Sequence, residues 1–110
     1  MALPARNRLK LRSDFQNVSR RGATAQSHFL FLKYLKSGHA IPRIAIRVPA
    51  KIAPWAVLRN KIRRAISEII RLQVAVLPSM DILITVRAIP KENELEALGE
   101  ELRGLLRRIS

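Results

Sequence analysis

Hydrophobic positions along the chain change their spacing from segment to segment, and each spacing predicts an element. Phe15 and Val18 stand three apart, as on one face of a helix. Ser13 is placed to cap that helix, Gln16 follows three residues later as in a capping box, and Gly22 is a natural stop. Residues 28–36 (HFLFLKYLK) read as a strand rich in aromatics, closed by a turn at Ser37-Gly38-His39 with Pro42 beyond. Residues 43–48 alternate: Ile44, Ile46 and Val48 point one way, Arg43, Ala45 and Arg47 the other, and Pro49 ends the run. The two strands are expected to form an antiparallel hairpin. A long helix is expected from near Pro54 to about Val74, before Pro78. At about 100° per residue, Leu58, Ile62, Ala65, Ile66 and Ile69 fall in one arc. Arg59, Asn60, Arg63, Arg64, Ser67 and Arg71 fall in the opposite arc, with Lys61 on a flank. Residues 81–88 form a third strand with Ile82, Ile84 and Val86 on one side. A last helix runs from about Asn93, its cap, with Leu95, Leu98, Leu102, Leu105 and Ile109 as its buried stripe.

These elements predict an α+β fold: a small mixed sheet with helices packed mainly on one face, in the order α-β-β-α-β-α, with room for a short extra strand. No repeat, low-complexity segment or internal linker divides the chain. Residues 1–12 are basic and poorly patterned. They read as a flexible arm that either touches phosphates or simply frays, and residues 13–110 as one domain.

Charge sharpens this picture. The 110 residues carry 21 Lys and Arg against 8 Asp and Glu, a formal net charge of +13. Self-repulsion of that size opposes compaction, and a polyanion relieves it. Nucleic acid is the first candidate and an anionic membrane surface the second. The apolar stretches are strand-sized, too short to span a bilayer, and no secretory-type apolar run opens the chain. Without cysteine there is no disulfide framework and no thiolate metal site, which fits a reducing compartment.

The basic helix carries the strongest signal. Arg and Lys bind phosphate oxygens, Arg bidentately. On an ordinary solvated face acids are interspersed, yet between Lys51 and Arg71 the sole acid is Glu68. A second feature depends on strand parity. If the apolar parities share one face of the sheet, Arg43, Arg47, Thr85 and Arg87 share the other. Phe29, Phe31 and Lys33 would join them, with Phe15 alongside. Aromatics between cations suit a single strand of nucleic acid, whereas the same phenylalanines could equally be core.

Catalytic constellations are poor. Glu92, Glu94, Glu96, Glu100 and Glu101 read as the solvated acidic face of the last helix, and Asp14, Glu68 and Asp81 are scattered. His28 and His39 have no ligand partner at motif spacing. No glycine-rich phosphate loop or nucleophile elbow is present. The rival functions are a general RNA-binding or ribosomal-type protein without a processing role, a helix-turn-helix module, and a metal-dependent nuclease acting alone through Asp14, Glu68 and Asp81. Intervening strands count against the helix-turn-helix.

Arg43-Ile44-Ala45, Lys51 and the run Arg59-Asn60-Lys61-Ile62-Arg63-Arg64 resemble the protein subunit of bacterial ribonuclease P. Asn7-Arg8-Leu9-Lys10, Asp14-Phe15-Gln16, Gly22, Asp81 to Ile84 and Arg87 extend the resemblance over nearly the whole chain. It implies a ribosomal protein S5 domain 2-like fold and a subunit that assists an RNA catalyst in removing the 5′ leader of precursor tRNA in the bacterial cytoplasm. It implies that Lys51, Arg59, Asn60, Lys61, Arg63 and Arg64 contact the catalytic RNA. Phe15, Phe31 and Lys33 would line the leader cleft, joined by Arg47 and Arg87 from the strand pattern. No catalytic residue, protein-bound metal or membrane contact is implied. Mg2+ would be held by the RNA, and the protein would act as a monomer, one per RNA. Ser19 and Lys33 stand where the family often has aromatics, Ala45 where it has glycine, and Pro54-Trp55 is atypical.

Overall fold

The computed structural model describes residues 3–109, for Glu92 the backbone only. Met1 and Ala2 of the expected arm, Ser110 at the end of the expected domain and the Glu92 side chain lie outside the described residues. The elements are α1 (Arg12–Arg21), β1 (Ala23–Gln26), β2 (Leu30–Lys36), β3 (Arg43–Arg47), α2 (Ala56–Gln73), β4 (Met80–Val86) and α3 (Leu95–Ile109). The sheet order is β1-β2-β4-β3.

The hairpin expected between residues 28–36 and 43–48, the segments of β2 and β3, does not form. β4 lies between them, antiparallel to β2 and parallel to β3. The reason is burial. From Met80 to Ile84 every residue of β4 is buried, on both faces. A strand apolar on both sides belongs in the sheet's middle, and α2 supplies the crossover that parallel pairing needs. Leu83, hidden by the alternation of Ile82, Ile84 and Val86, is the residue that makes β4 two-sided.

One face of the sheet presents Leu30, Leu32, Ile44, Ile82, Ile84 and Val86 to α2 and α3, which contribute Ile62, Ile66, Ile70, Leu98, Leu102 and Leu105. The other face carries a smaller cluster in which Val18 and Phe15 of α1 meet Leu83, Leu35, Ala45 and Leu9. The helices therefore sit mainly on one face, as expected, and β1 is the short extra strand.

Several boundaries differ from expectation. Ser13 lies inside α1: its N-cap is Leu11, whose carbonyl accepts the Asp14 and Phe15 N–H groups. Gly22 does end the helix, donating to the Val18 carbonyl at 2.9 Å. Its φ of −72° is ordinary. Glycine is needed for space, because a Cβ there would lie 2.5 Å from the Val18 oxygen and 3.0 Å from that of Tyr34. Asn93 is not a cap. A 3-10 turn (Glu92–Glu94) precedes α3, and the Glu94 carboxylate accepts the Lys91 N–H at 2.9 Å.

The stretch read as a mobile arm is packed from Leu3 onward. Leu3 and Leu9 are buried. Buried Asn7 donates to the Pro42 carbonyl at 2.9 Å, and Leu9 N–H donates to the Ile44 carbonyl at 2.9 Å. The arm thus covers the free edge of β3, which would otherwise expose unpaired backbone groups.

Candidate nucleic-acid interface

Strand register determines which side chains share the sheet's second face. Phe31 pairs with Thr85, and Thr85 with Arg47; on the far side Phe31 pairs with Gln26. Gln26, Phe31, Thr85 and Arg47 thus form one rung across four strands. The next rung is Thr24, Lys33, Leu83 and Ala45. The third is Leu35, Asp81 and Arg43. α1 packs over Leu83, Leu35 and Ala45, which leaves the first rung open with Phe31 half-buried and Arg47 exposed.

Arg47 lines a groove with Lys10, Arg12, Phe15, Gln16, Ser19 and Arg20. Polar and cationic side chains surround one phenylalanine there, the mixture that suits a single strand. Arg87 stands at the end of the open rung, its Nη1 donating to the Ser27 carbonyl at 2.9 Å and to Gln26 Oε1 at 3.2 Å. Lys33 borders the groove and is not free within it: its Nζ donates to the Ser19 carbonyl at 2.5 Å. A cation beside the last carbonyls of α1 complements the helix dipole and ties the helix to the sheet.

Phe29 does not join this face. It is 3% exposed and belongs to the main core. β2 begins at Leu30, so Phe29 lies in the short link before it and escapes the strand's alternation. Its N–H donates to the Glu101 carboxylate of α3 at 3.0 Å, so the acidic helix face is partly structural.

α2 presents its bases in two directions. Asn60, Arg63, Arg64 and Ser67 line a groove of about 460 Å3 together with Arg8, Phe15, Ile44 and Ile46. Arg63 and Arg64 are exposed, and Arg63 donates to Asn60 Oδ1 at 3.1 Å. Lys61 instead borders a recess formed by Trp55, Ala56, Val57 and Leu58. Arg59 is half-buried, with Nη1 donating to the Ala53 and Pro54 carbonyls at 2.9 Å each. It fastens the turn before α2, and exposed Lys51 belongs to that turn.

The scattered acids have work that the sequence did not reveal. Arg43 grips Asp81 bidentately, at 2.9 Å and 2.8 Å, and reaches Asp14 at 3.1 Å. This network joins α1 to β3 and β4. Hydrogen bonding to Asp81, then charge attraction to both carboxylates, raises the Arg43 pKa against the opposing effect of burial. Glu68 pairs with Arg71, and that hydrogen bond is the largest of the causes that hold the Glu68 pKa below its ordinary 4.5, at about 2. Among the described residues no three His, Asp or Glu come together as a metal ligand set, and no helix is long and apolar enough to cross a membrane.

Known proteins share both sequence and fold with this chain. Residues 3–110 match the Ribonuclease P family. The ribonuclease P protein component of Rippkaea orientalis is 36% identical, covering 96% of this chain and 88% of that protein. The corresponding protein of Streptomyces avermitilis is 35% identical over 97% and 94%. The Thermotoga maritima RNase P protein, solved in complex with 1-(4-fluorophenyl)-2-thiourea, superposes with a TM-score of 0.79 at 30% identity, covering 94% of this chain and all of that one. A Staphylococcus aureus RNase P protein, a mutant with defective mRNA degradation activity, gives 0.83 at 26% identity over 94% and 88%. The α+β order, the basic helix after a parallel edge strand and this match along nearly the full length agree: the chain belongs to the ribonuclease P protein family, as a protein component of the tRNA 5′-maturation endoribonuclease.

Proposed function

We propose that α2 docks the chain on the ribonuclease P RNA, and that the groove between α1 and the open rung holds the 5′ leader of precursor tRNA. One observation carries this reading: Phe15 lines both the groove of α2 and that of Arg47. The two basic surfaces are therefore continuous, and a strand leaving a docked RNA can pass into the cleft without crossing an acidic barrier. Asn60, Arg63 and Arg64 face the RNA subunit directly. Lys61 contributes from the flank and Lys51 from the turn, while Arg59 shapes that turn. Phe15 and Phe31 offer ring faces to leader bases, Arg47 and Arg87 neutralise phosphates, and Lys33 holds the cleft wall.

In this reading the RNA performs the cleavage, with Mg2+ bound by RNA and none by the protein. The chain acts as a monomer, one per RNA, in the bacterial cytoplasm. The test is a salt titration of RNA-subunit binding. Arg64→Ala should flatten the slope of log affinity against log salt by about one counterion. Phe31→Ala should leave that slope intact and weaken holoenzyme binding to precursor tRNA more than to mature tRNA. An unchanged slope for Arg64→Ala, or equal losses for both tRNAs, would refute the corresponding assignment.

A further inference from the structure

Trp55 is the chain's single tryptophan, and it is 72% exposed at the head of α2. Its exposure is not slack. The Ile52 and Ala53 N–H groups both donate to the Pro49 carbonyl, at 3.0 Å and 2.9 Å. Ala53 is fully buried, and Arg59 holds the next two carbonyls. The backbone that leads to the indole is thus fixed from both sides, while the indole and neighbouring Val57, 82% exposed, face water.

An exposed apolar surface on a fixed frame marks a contact site, and the surroundings indicate the occupant. The recess beside Trp55 is apolar except for Lys61, and it continues the basic helix. A formal charge of +13 disfavours a second copy of the chain there and favours a polyanion. An unpaired nucleobase fits both features, since it offers a flat ring to the indole and a phosphate to the ammonium group. We propose that Trp55 is a stacking platform for an unpaired base of the partner RNA, with Lys61 neutralising the adjacent phosphate. The inference rests on the docking of α2 on the ribonuclease P RNA. It explains why Lys61 is turned away from Asn60, Arg63 and Arg64.

The indole is its own reporter, because no other tryptophan contributes emission. Titration of the full chain with the cognate ribonuclease P RNA transcript should quench that emission. Trp55→Ala should weaken binding about five-fold or more, as stacking losses do. The salt slope should stay unchanged, because an uncharged ring releases no counterions. Trp55→Phe should retain most of the affinity, and Lys61→Ala should flatten the slope by about one counterion. Neither residue is in the core, so folding is not at issue. Wild-type binding without quenching, together with a Trp55→Ala variant that binds normally, would overturn the stacking site and leave the docking reading standing. Failure of the wild-type chain to bind the transcript would overturn both. Emission that depends on protein concentration without RNA, with a matching increase in sedimentation, would show a second copy on the patch and overturn the proposal.

Discussion

Replacing Arg43 with methionine keeps much of the side chain's bulk and removes the charge that joins α1 to the sheet. Asp81 is only 6% exposed and accepts two charge-assisted hydrogen bonds from Arg43, while Asp14 accepts a third. Without the guanidinium, two largely shielded carboxylates lose the cation they share. Breaking a buried ion pair from one side costs about 3–5 kcal/mol. The side chains retain 8–18% exposure, which places the loss near the lower end, about 3 kcal/mol. A domain of this size has roughly 5–15 kcal/mol of stability in total. With a urea dependence of about 1.5 kcal/mol/M, the unfolding midpoint should fall by about 2 M. Urea unfolding of wild type, Arg43→Met, Asp81→Asn and the double variant checks the origin of the loss. The single losses should sum to more than the double loss by at least about 1 kcal/mol, because a neutral amide in place of the Asp81 carboxylate no longer needs a cation. Additive losses, or a loss below about 1 kcal/mol for Arg43→Met, would refute the network as the tie between α1 and the sheet.

Other consequences follow from particular contacts. Gly22→Ala should destabilise by about 1–3 kcal/mol in urea unfolding, because the new methyl meets two backbone oxygens; at an unobstructed site the same change stabilises. Phe29→Ala should cost about 3–5 kcal/mol as a core truncation, whereas Phe31→Ala should cost clearly less and act mainly on precursor binding. The folded-state pKa of Glu68 lies below its ordinary value, so its pairing contributes stability that is fully present above the ordinary value of 4.5 and lost as pH falls through about 2. An NMR titration should place the Glu68 midpoint near the lower value, and Arg71→Ala should move it upward; no movement would contradict the pairing.

The sequence made the helices legible because their stripes are long and regular. The apolar arcs of α2 and α3 face the core, except that Ala65 and Leu95 are half-buried and lie outside its cluster, and Asn60, Lys61, Arg63 and Arg64 of α2 are exposed. Strand parity also predicted the second face: Phe31, Lys33, Arg47 and Thr85 share it. Sheet order was harder to read, because pairing depends on competition among strands. Alternation in residues 43–48 suggested a hairpin, but Leu83 made β4 the better partner for both neighbours. The Arg43 network was hidden because its members come from three distant segments, and distance along the chain conceals charge pairing. One signal was available. Asp81 opens an apolar strand, and an acid in such a place needs a partner. Phe29 was ambiguous for a local reason: it lies one residue outside the strand whose alternation it continues in the sequence. The packing of residues 3–11 had no periodic signal at all, since it rests on Leu3, Asn7 and Leu9 at irregular spacing.

Reconstituted cleavage of a precursor tRNA tests the central claim most directly. RNA-free protein with Mg2+ should leave the substrate intact. Addition of the ribonuclease P RNA transcript should release the 5′ leader at the mature end, and at near-physiological salt the reaction should proceed faster with the protein than with the RNA alone. Leader removal by the protein without RNA, or a rate with RNA that the protein does not change, would contradict the account.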